Sequence, residues 1–126
     1  MYRDYLIKYI DEVYGVSPEY PWESAPAFAV FRHRSNKKWF AVIMDISAKK
    51  LGMESDAKID VMNIKTDPIL LGSLLHESGF YPAYHMSKTN WVTVVLGKNA
   101  DVDKIKWLLG LSHELTASKK GKRKEG

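Results

Sequence analysis

Two strand-like segments joined by a short polar connection constrain the fold of this chain most. Residues 27–34 and 38–46 are rich in small, β-branched and aromatic side chains, and Ser35 and Asn36 lie between them. Because asparagine tolerates the positive φ that tight hairpin turns require, these segments are predicted to form a β-hairpin. Alternation along the second strand places Phe40, Val42, Met44 and Ile46 on one face, and Trp39, Ala41 and Ile43 on the other.

The chain before this hairpin combines a helix with a segment that cannot be regular. Apolar side chains recur at helical spacing through residues 2–14, and Gly15 follows as the residue at which the helix ends. The next segment holds Pro18, Pro21 and Pro26. Because proline fixes φ and lacks an N–H, we expect no regular structure there before about residue 27.

The second half of the chain alternates strands and helices. Residues 60–65 and 91–96 are short apolar strands, and residues 47–58 form a polar loop. An Asp-Pro pair at 67–68 starts a helix that ends near Gly79, a weaker strand follows, and an aspartate caps a final helix. The order α-β-β-β-α-β-β-α predicts an α+β fold, with a mostly antiparallel sheet and flanking helices.

Length and composition favour one folded domain. The 126 residues include fifteen aromatic side chains and no cysteine, which argues against disorder and excludes disulfides, thiolate metal clusters and a cysteine nucleophile. No apolar run approaches the roughly 20 residues of a membrane-spanning helix. Residues 1–15 carry distributed charges and no apolar h-region, so we expect no secretory leader. We therefore expect a cytoplasmic, monomeric protein without a membrane role, with one domain in residues 1–118.

The net charge of +4 belongs to the end of the chain. Residues 119–126 alone sum to +4, so residues 1–118 are neutral, and we expect residues 119–126 to form a basic, disordered tail. Within the neutral part, residues 32–50 sum to +5. This concentrated positive field, of the kind that attracts anions, comes from Arg32, Arg34, Lys37, Lys38, Lys49 and Lys50.

Motifs for catalysis and cofactor binding are absent from the sequence. No phosphate-binding glycine loop, dinucleotide fingerprint or serine nucleophile elbow occurs. The four histidines lack metal-ligand spacing, and we expect His113 to be a partly buried structural residue and His76 to lie at the end of the second helix. We predict no metal, no cofactor and no enzymatic activity; His85 is the one candidate acid or base.

The segment that leads into Trp91 carries the most specific chemistry. It brings Tyr84, His85 and Lys88 close to Trp91 along the chain. Aromatic rings beside a cation are typical of surfaces that stack on bases and contact phosphates. The structural alternative is that Trp91 and Met86 fill the core while Tyr84 and His85 form a tight loop.

Several stretches together resemble the MmcQ/YjbR family of small bacterial proteins. The run Tyr-His-Met-x-Lys-x-x-Trp at residues 84–91 is the most specific of them. The other matching stretches, in chain order, are Gly15-Val16, Pro21-Trp22, the hairpin from Phe28 to Phe40, Ile64-Lys65-Thr66-Asp67-Pro68 and Leu111-Ser112-His113-Glu114-Leu115.

This resemblance implies a fold and a function. The family is described as having a CyaY-like, or frataxin-like, α+β fold and a double-wing DNA-binding arrangement. Trp22 stands where the family usually has Phe, and His113 stands where it usually has an aromatic residue such as Tyr. Both changes keep a ring, and the basic tail is not part of the family pattern.

A metal or small-ligand role by analogy with the frataxin-like fold is a third possibility, but the acidic first helix is too sparsely charged to supply such a site. Two functions of different kinds are therefore favoured from the sequence. In the first, the chain is a small DNA-binding protein with weak or sequence-independent affinity. Its hairpin acts as a basic wing whose cations contact phosphates, and Lys49 and Lys50 extend this patch. A second contact is formed by the loop residues Tyr84, His85, Lys88 and Trp91. In the second, it is a protein-interaction or regulatory domain whose sheet face anchors a partner through Trp39, Tyr84 and Trp91.

Overall fold

Three α-helices and a five-stranded antiparallel sheet make up the computed structural model, which describes residues 2–117. The predicted tail at 119–126 lies outside the described residues. The elements in chain order are α1 (Tyr2–Tyr14), β1 (Ala29–Arg32), β2 (Trp39–Ser47), a 3-10 turn (Ala48–Leu51), β3 (Lys58–Lys65), α2 (Pro68–Leu74), β4 (Phe80–Pro82), β5 (Trp91–Val95) and α3 (Val102–Thr116). The sheet order is β1-β2-β3-β5-β4 with every pair antiparallel, which confirms the α+β prediction.

The helices cover one face of this sheet. Asp67 and Asp101 accept backbone N–H groups at the starts of α2 and α3, as predicted. Side chains of all three helices join the main apolar core, and the fully buried ones are Leu6, Ile10, Leu74, Ile105, Leu108 and Leu109. Burying a side chain of this size stabilises the folded state by about 1.5–3 kcal/mol, so this face holds most of the packing energy.

The second face of the sheet, called here the open face, has a smaller apolar cluster. Val42, Met44 and Val61 are buried there. The side chains packed over them come from loops and strand ends rather than from a helix, and include Phe28, Trp39, Tyr84 and Met86. The open face is therefore where loop residues meet an apolar floor.

A β-bulge reverses the predicted facing of two residues in β2. Phe31 pairs with Ala41 whereas Arg32 pairs with Trp39, so Phe40 is an extra residue in the ladder. The prediction that Phe40 shares a face with Val42 and that Trp39 lies opposite is wrong, because a bulge shifts the alternation by one residue. Phe40 joins the helix-side core and Trp39 turns to the open face.

The loop of the predicted hairpin is longer than expected and is attached to α3. Its positive φ, 66°, falls at Lys37 rather than at Asn36. The Asn36 side chain instead donates from Nδ2 to the carbonyl oxygen of Thr116 at 2.9 Å and accepts the Lys38 N–H at 2.9 Å. This contact satisfies a carbonyl at the end of α3 and holds the loop against the helix.

A cluster of packed rings lies beneath that attachment. The centroids of His33 and His113 are 4.3 Å apart, and those of His113 and Tyr14 are 4.4 Å apart. His33 Nε2 lies 2.8 Å from Thr116 Oγ1. Since the Thr116 hydroxyl donates its proton to the Ser112 carbonyl oxygen, the His33 ring is the donor to Thr116. Ring stacking of the partly buried His113 agrees with the structural role predicted for it.

Burial lowers the pKa of both histidines. For His33, desolvation lowers the pKa and a hydrogen bond to the His113 backbone partly offsets this effect. For His113, desolvation and the charge of His33 both lower the pKa, and the charge of Glu114 partly offsets them. Tyr14, the ring on the other side of His113, has a pKa raised by burial. The cluster therefore favours two neutral imidazoles.

We expect the free energy of unfolding to decrease as the pH falls below about 6.5. A histidine whose folded pKa lies below its unfolded value binds more protons when unfolded, so stability is lost as pH drops from 6.5 towards the folded pKa. Urea unfolding at several pH values between 7.5 and 5 measures this loss. His113→Phe keeps a stacking ring without a titrating group and should lose less stability on acidification; parallel curves for the two proteins would contradict the assignment.

Candidate nucleic-acid interface

An aromatic pocket of about 390 Å³ lies on the open face of the sheet. Val42 and Met44 of β2 form its floor, one wall comes from residues 22–28, and the other from residues 84–86. Five of its ten lining residues carry a ring. These are Trp22, Phe28, Trp39, Tyr84 and His85.

The proline-containing segment builds the first wall. Glu19 exchanges two backbone hydrogen bonds with Val30, at 2.9 and 2.8 Å, which attaches this segment to the edge of β1. The ring of Trp22 then meets Trp39 at 5.8 Å between centroids and 79° between planes, and Phe28 at 6.0 Å and 83°. These edge-to-face contacts hold Trp22 in place although 38% of it is exposed.

Two buried polar residues hold the second wall. The Tyr84 N–H donates to Thr93 Oγ1 and the Tyr84 carbonyl oxygen accepts from Asn63 Nδ2, both at 2.9 Å. The Thr93 hydroxyl in turn donates to Asn63 Oδ1. Asn63 and Thr93 are paired across β3 and β5 and are fully buried. Neither residue was predicted from the sequence, although a polar residue inside each apolar strand is the signal that could have identified them.

A left-handed residue lets three consecutive side chains line the pocket. His85 has a φ of 58°, a conformation that histidine adopts more readily than most residues. In an extended strand, Tyr84 and Met86 would face one way and His85 the other. Here all three line the pocket, and the His85 ring lies 3.9 Å from the Tyr84 ring, centroid to centroid.

Trp91 is not exposed as the predicted stacking surface requires. It is only 9% exposed, at the start of β5 and opposite Lys65. At this exposure the ring offers too little surface for a base to stack on. The structural alternative holds for this residue, whereas Tyr84 and His85 reach the surface of the pocket. Lys88 is exposed, and its Nζ donates to the Ala83 carbonyl oxygen at 2.9 Å.

The predicted basic patch is divided in two. Lys37 and Lys38 precede β2, whereas Lys49 and Lys50 follow it. With a rise of about 3.3 Å per residue, this strand separates the two groups by roughly 25 Å. The expectation that Lys49 and Lys50 extend the hairpin patch is therefore corrected: the charges form separate groups at opposite ends of one strand.

Some of these cations already have partners. Arg32 Nε lies 2.8 Å from Glu19 Oε2, and this hydrogen bond, with help from the charges of Arg32 and Lys37, lowers the pKa of Glu19. Lys49 Nζ lies 3.1 Å from Asp56 Oδ1. Both pairs are exposed, so each stabilises the fold little.

The remaining cations keep their charge exposed. The Arg34 side chain donates to the Gly15 carbonyl oxygen at 3.3 Å. Lys37, Lys38 and Lys50 are exposed and form no ion pair with any residue from 2 to 117.

The aromatic pocket lies between the two groups of cations. At one end it is lined by Trp39, which follows Lys38 in sequence and pairs with Arg32 in the sheet. At the other end, Tyr84 is shared with two neighbouring depressions, of about 410 and 370 Å³, both lined by Lys50. Lys88 lines the smaller one. Ring faces flanked by ammonium groups can stack on a planar group and neutralise phosphates beside it.

The described part of the chain has neither a cluster of metal ligands nor a membrane-spanning helix. Among residues 2–117, no three His, Asp or Glu side chains converge as metal ligands. No helix within that range has the length and apolar character needed to cross a membrane.

Comparison with known proteins gives consistent similarities. The model of the YjbR family matches residues 11–115. The chain is 39% identical over 114 residues to the uncharacterised protein YyaQ of Bacillus subtilis strain 168, covering 90% of this chain and 97% of that protein. A crystal structure of a Pseudomonas syringae protein is similar with a TM-score of 0.90 and 44% identity, covering 93% of this chain and 100% of that one. The Deinococcus radiodurans protein DR2400 has a TM-score of 0.71 and 25% identity, covering 98% and 86% respectively.

We expect Thr93→Val to lower the free energy of unfolding by about 1–3 kcal/mol, because it leaves the Tyr84 N–H and Asn63 Oδ1 buried without a partner. Urea unfolding with an unchanged m-value measures the loss. Thr89→Val is the matched control: Thr89 is exposed, its hydroxyl pairs with that of Ser87, and its effect should stay within about 0.5 kcal/mol. Equal effects of the two substitutions would refute the role given to Thr93.

Proposed function

The chain belongs to the YjbR family, and we propose that it is a small, cytoplasmic DNA-binding protein. The observation that carries the proposal is the aromatic pocket on the open face of the sheet, with Lys50 and Lys88 lining an adjoining depression and the hairpin cations beyond the Trp39 end of β2. Lysines and arginines at either end contact phosphates, and the rings between them contact bases.

The hairpin supplies the first phosphate contacts. Arg34, Lys37 and Lys38 are exposed on a loop that is held to the end of α3 by Asn36. A loop that is already ordered loses little conformational entropy when DNA binds, so its cations contribute more of their electrostatic attraction to affinity. In the double-wing arrangement implied by the family resemblance, this hairpin is one wing.

The second group lies beyond the other end of β2. Lys50 and Lys88 line the depression that shares Tyr84 and His85 with the aromatic pocket. Lysine ammonium groups on flexible stems act as point charges rather than as bidentate readers of base edges. The proposed binding is therefore largely independent of DNA sequence and sensitive to salt.

A protein-interaction role is the alternative, and the same pocket is the observation that favours it. An apolar or aromatic side chain of a partner also suits a pocket walled by Trp22 and Tyr84. Of the three anchors predicted for this role, Trp91 is buried, which leaves Trp39 and Tyr84. A stoichiometric protein partner retained after nuclease treatment, together with no DNA binding, would favour this alternative.

Reversing two hairpin charges should weaken DNA binding in a salt-dependent way. We expect the full-length Arg34→Glu, Lys38→Glu protein to bind labelled DNA at least tenfold more weakly at 50 mM salt. Its plot of log affinity against log salt should lose roughly 1.4–1.8 from its slope, because two phosphate contacts disappear. Fluorescence anisotropy between 50 and 200 mM salt measures both quantities.

Two further proteins make this experiment specific. The first is the Lys8→Glu, Lys98→Glu protein, which has the same change in net charge at exposed lysines on α1 and in the loop before α3. Its slope of log affinity against log salt should equal that of the wild type. The other protein has glutamine in place of the tail cations Lys119, Lys120, Lys122, Arg123 and Lys124. If DNA affinity vanishes in that protein, binding is generic polycation behaviour of the tail, and the proposed interface is wrong.

A further inference from the structure

We infer that the aromatic pocket takes one unpaired base of a DNA strand, so that the protein binds single-stranded DNA through base stacking as well as through phosphates. This inference rests on the proposed DNA binding and names the form of DNA that the site accepts. Four features of the pocket support it: the angles between its rings, its size, its apolar floor, and the charges at its ends.

The ring geometry leaves π-faces for a planar group. Trp22 is nearly perpendicular to Trp39 and to Phe28, at 79° and 83°, so these rings form a corner instead of a closed stack. Trp22 remains 38% exposed and Tyr84 is half-buried. An offset-stacked or edge-to-face contact with one more ring is the arrangement that aromatic side chains prefer.

The size and lining of the pocket suit a single base. At about 390 Å³ it lies near the lower end of the range of roughly 300–1,000 Å³ for small-ligand pockets. Its floor is apolar, with Val42 and Met44 below the rings. A base within a duplex has both faces covered by its neighbours and cannot enter, whereas an unpaired base can.

The two groups of cations lie beyond the two ends of β2, along which the pocket is built. Lys38 precedes Trp39 in sequence at one end, and Lys50 and Lys88 line the depression that shares Tyr84 at the other. A span of roughly 25 Å along β2 suits a short binding site, near the lower end of the about 4–16 nucleotides that stacking platforms cover. Stacking on a ring tolerates every base, so this occupant agrees with sequence-independent binding.

The test compares four probes on the full-length protein by fluorescence anisotropy or competition. They are a thymidine 12-mer, an abasic 12-mer with the same phosphates, a 12-base-pair duplex, and thymidine monophosphate. We expect the thymidine 12-mer to bind at least tenfold more tightly than the abasic 12-mer and more tightly than the duplex. We expect the monophosphate to bind much more weakly than the 12-mer, since it lacks the phosphates that reach both groups of cations.

Variants of Trp22 separate stacking from charge. Trp22→Ala should weaken binding of the thymidine 12-mer by about fivefold to a hundredfold and leave abasic binding unchanged. Trp22→Phe, which keeps a ring, should restore most of the affinity. Trp107→Ala is the matched control, because Trp107 is 54% exposed on α3 and is not among the residues that line the pocket.

Each contrary outcome has a distinct meaning. Equal affinity for the thymidine and abasic 12-mers, or an equal effect of Trp22→Ala on both, overturns base insertion and leaves phosphate binding intact. If thymidine monophosphate binds as tightly as the 12-mer, the pocket is a site for free nucleotides, and the inference that it binds a DNA strand is overturned. No binding of any oligomer overturns both this inference and the proposed function.

Discussion

The hydrogen bonds among Asn63, Thr93 and the Tyr84 backbone are the interaction on which the open face depends. Both faces of the sheet are apolar, but the helices cover only one of them. The other is covered by loops, and a loop stays in place over a sheet only if its backbone polar groups find partners. Here the sheet supplies these partners from its own interior, so the wall of the pocket is attached directly to the strands beneath it.

Most of the fold could be predicted from local sequence signals. Aspartate caps and apolar spacing identified the helices, and alternation identified the strands, because these signals depend on neighbouring residues. The facing of Trp39 and Phe40 was predicted wrongly, since the bulge depends on pairing with β1. The hairpin loop also differed from its prediction, because Asn36 bonds to Thr116, which lies 80 residues away along the chain.

The candidate site was predictable only in part. Tyr84 and His85 were identified because they follow one another in a specific motif. The contribution of Trp22 depends on a segment that folds back across β1 and β2, and no spacing in the sequence shows this. Charges that are close in sequence proved to be far apart in space, because the strand between them is extended.

The attachment of the hairpin loop to α3 couples the basic loop to the last turn of that helix. Thr116, the last residue of α3, contacts both His33 and Asn36. Fraying of this last turn would therefore release the loop that carries Arg34, Lys37 and Lys38. The positions of these cations thus depend on hydrogen bonds in which none of them takes part.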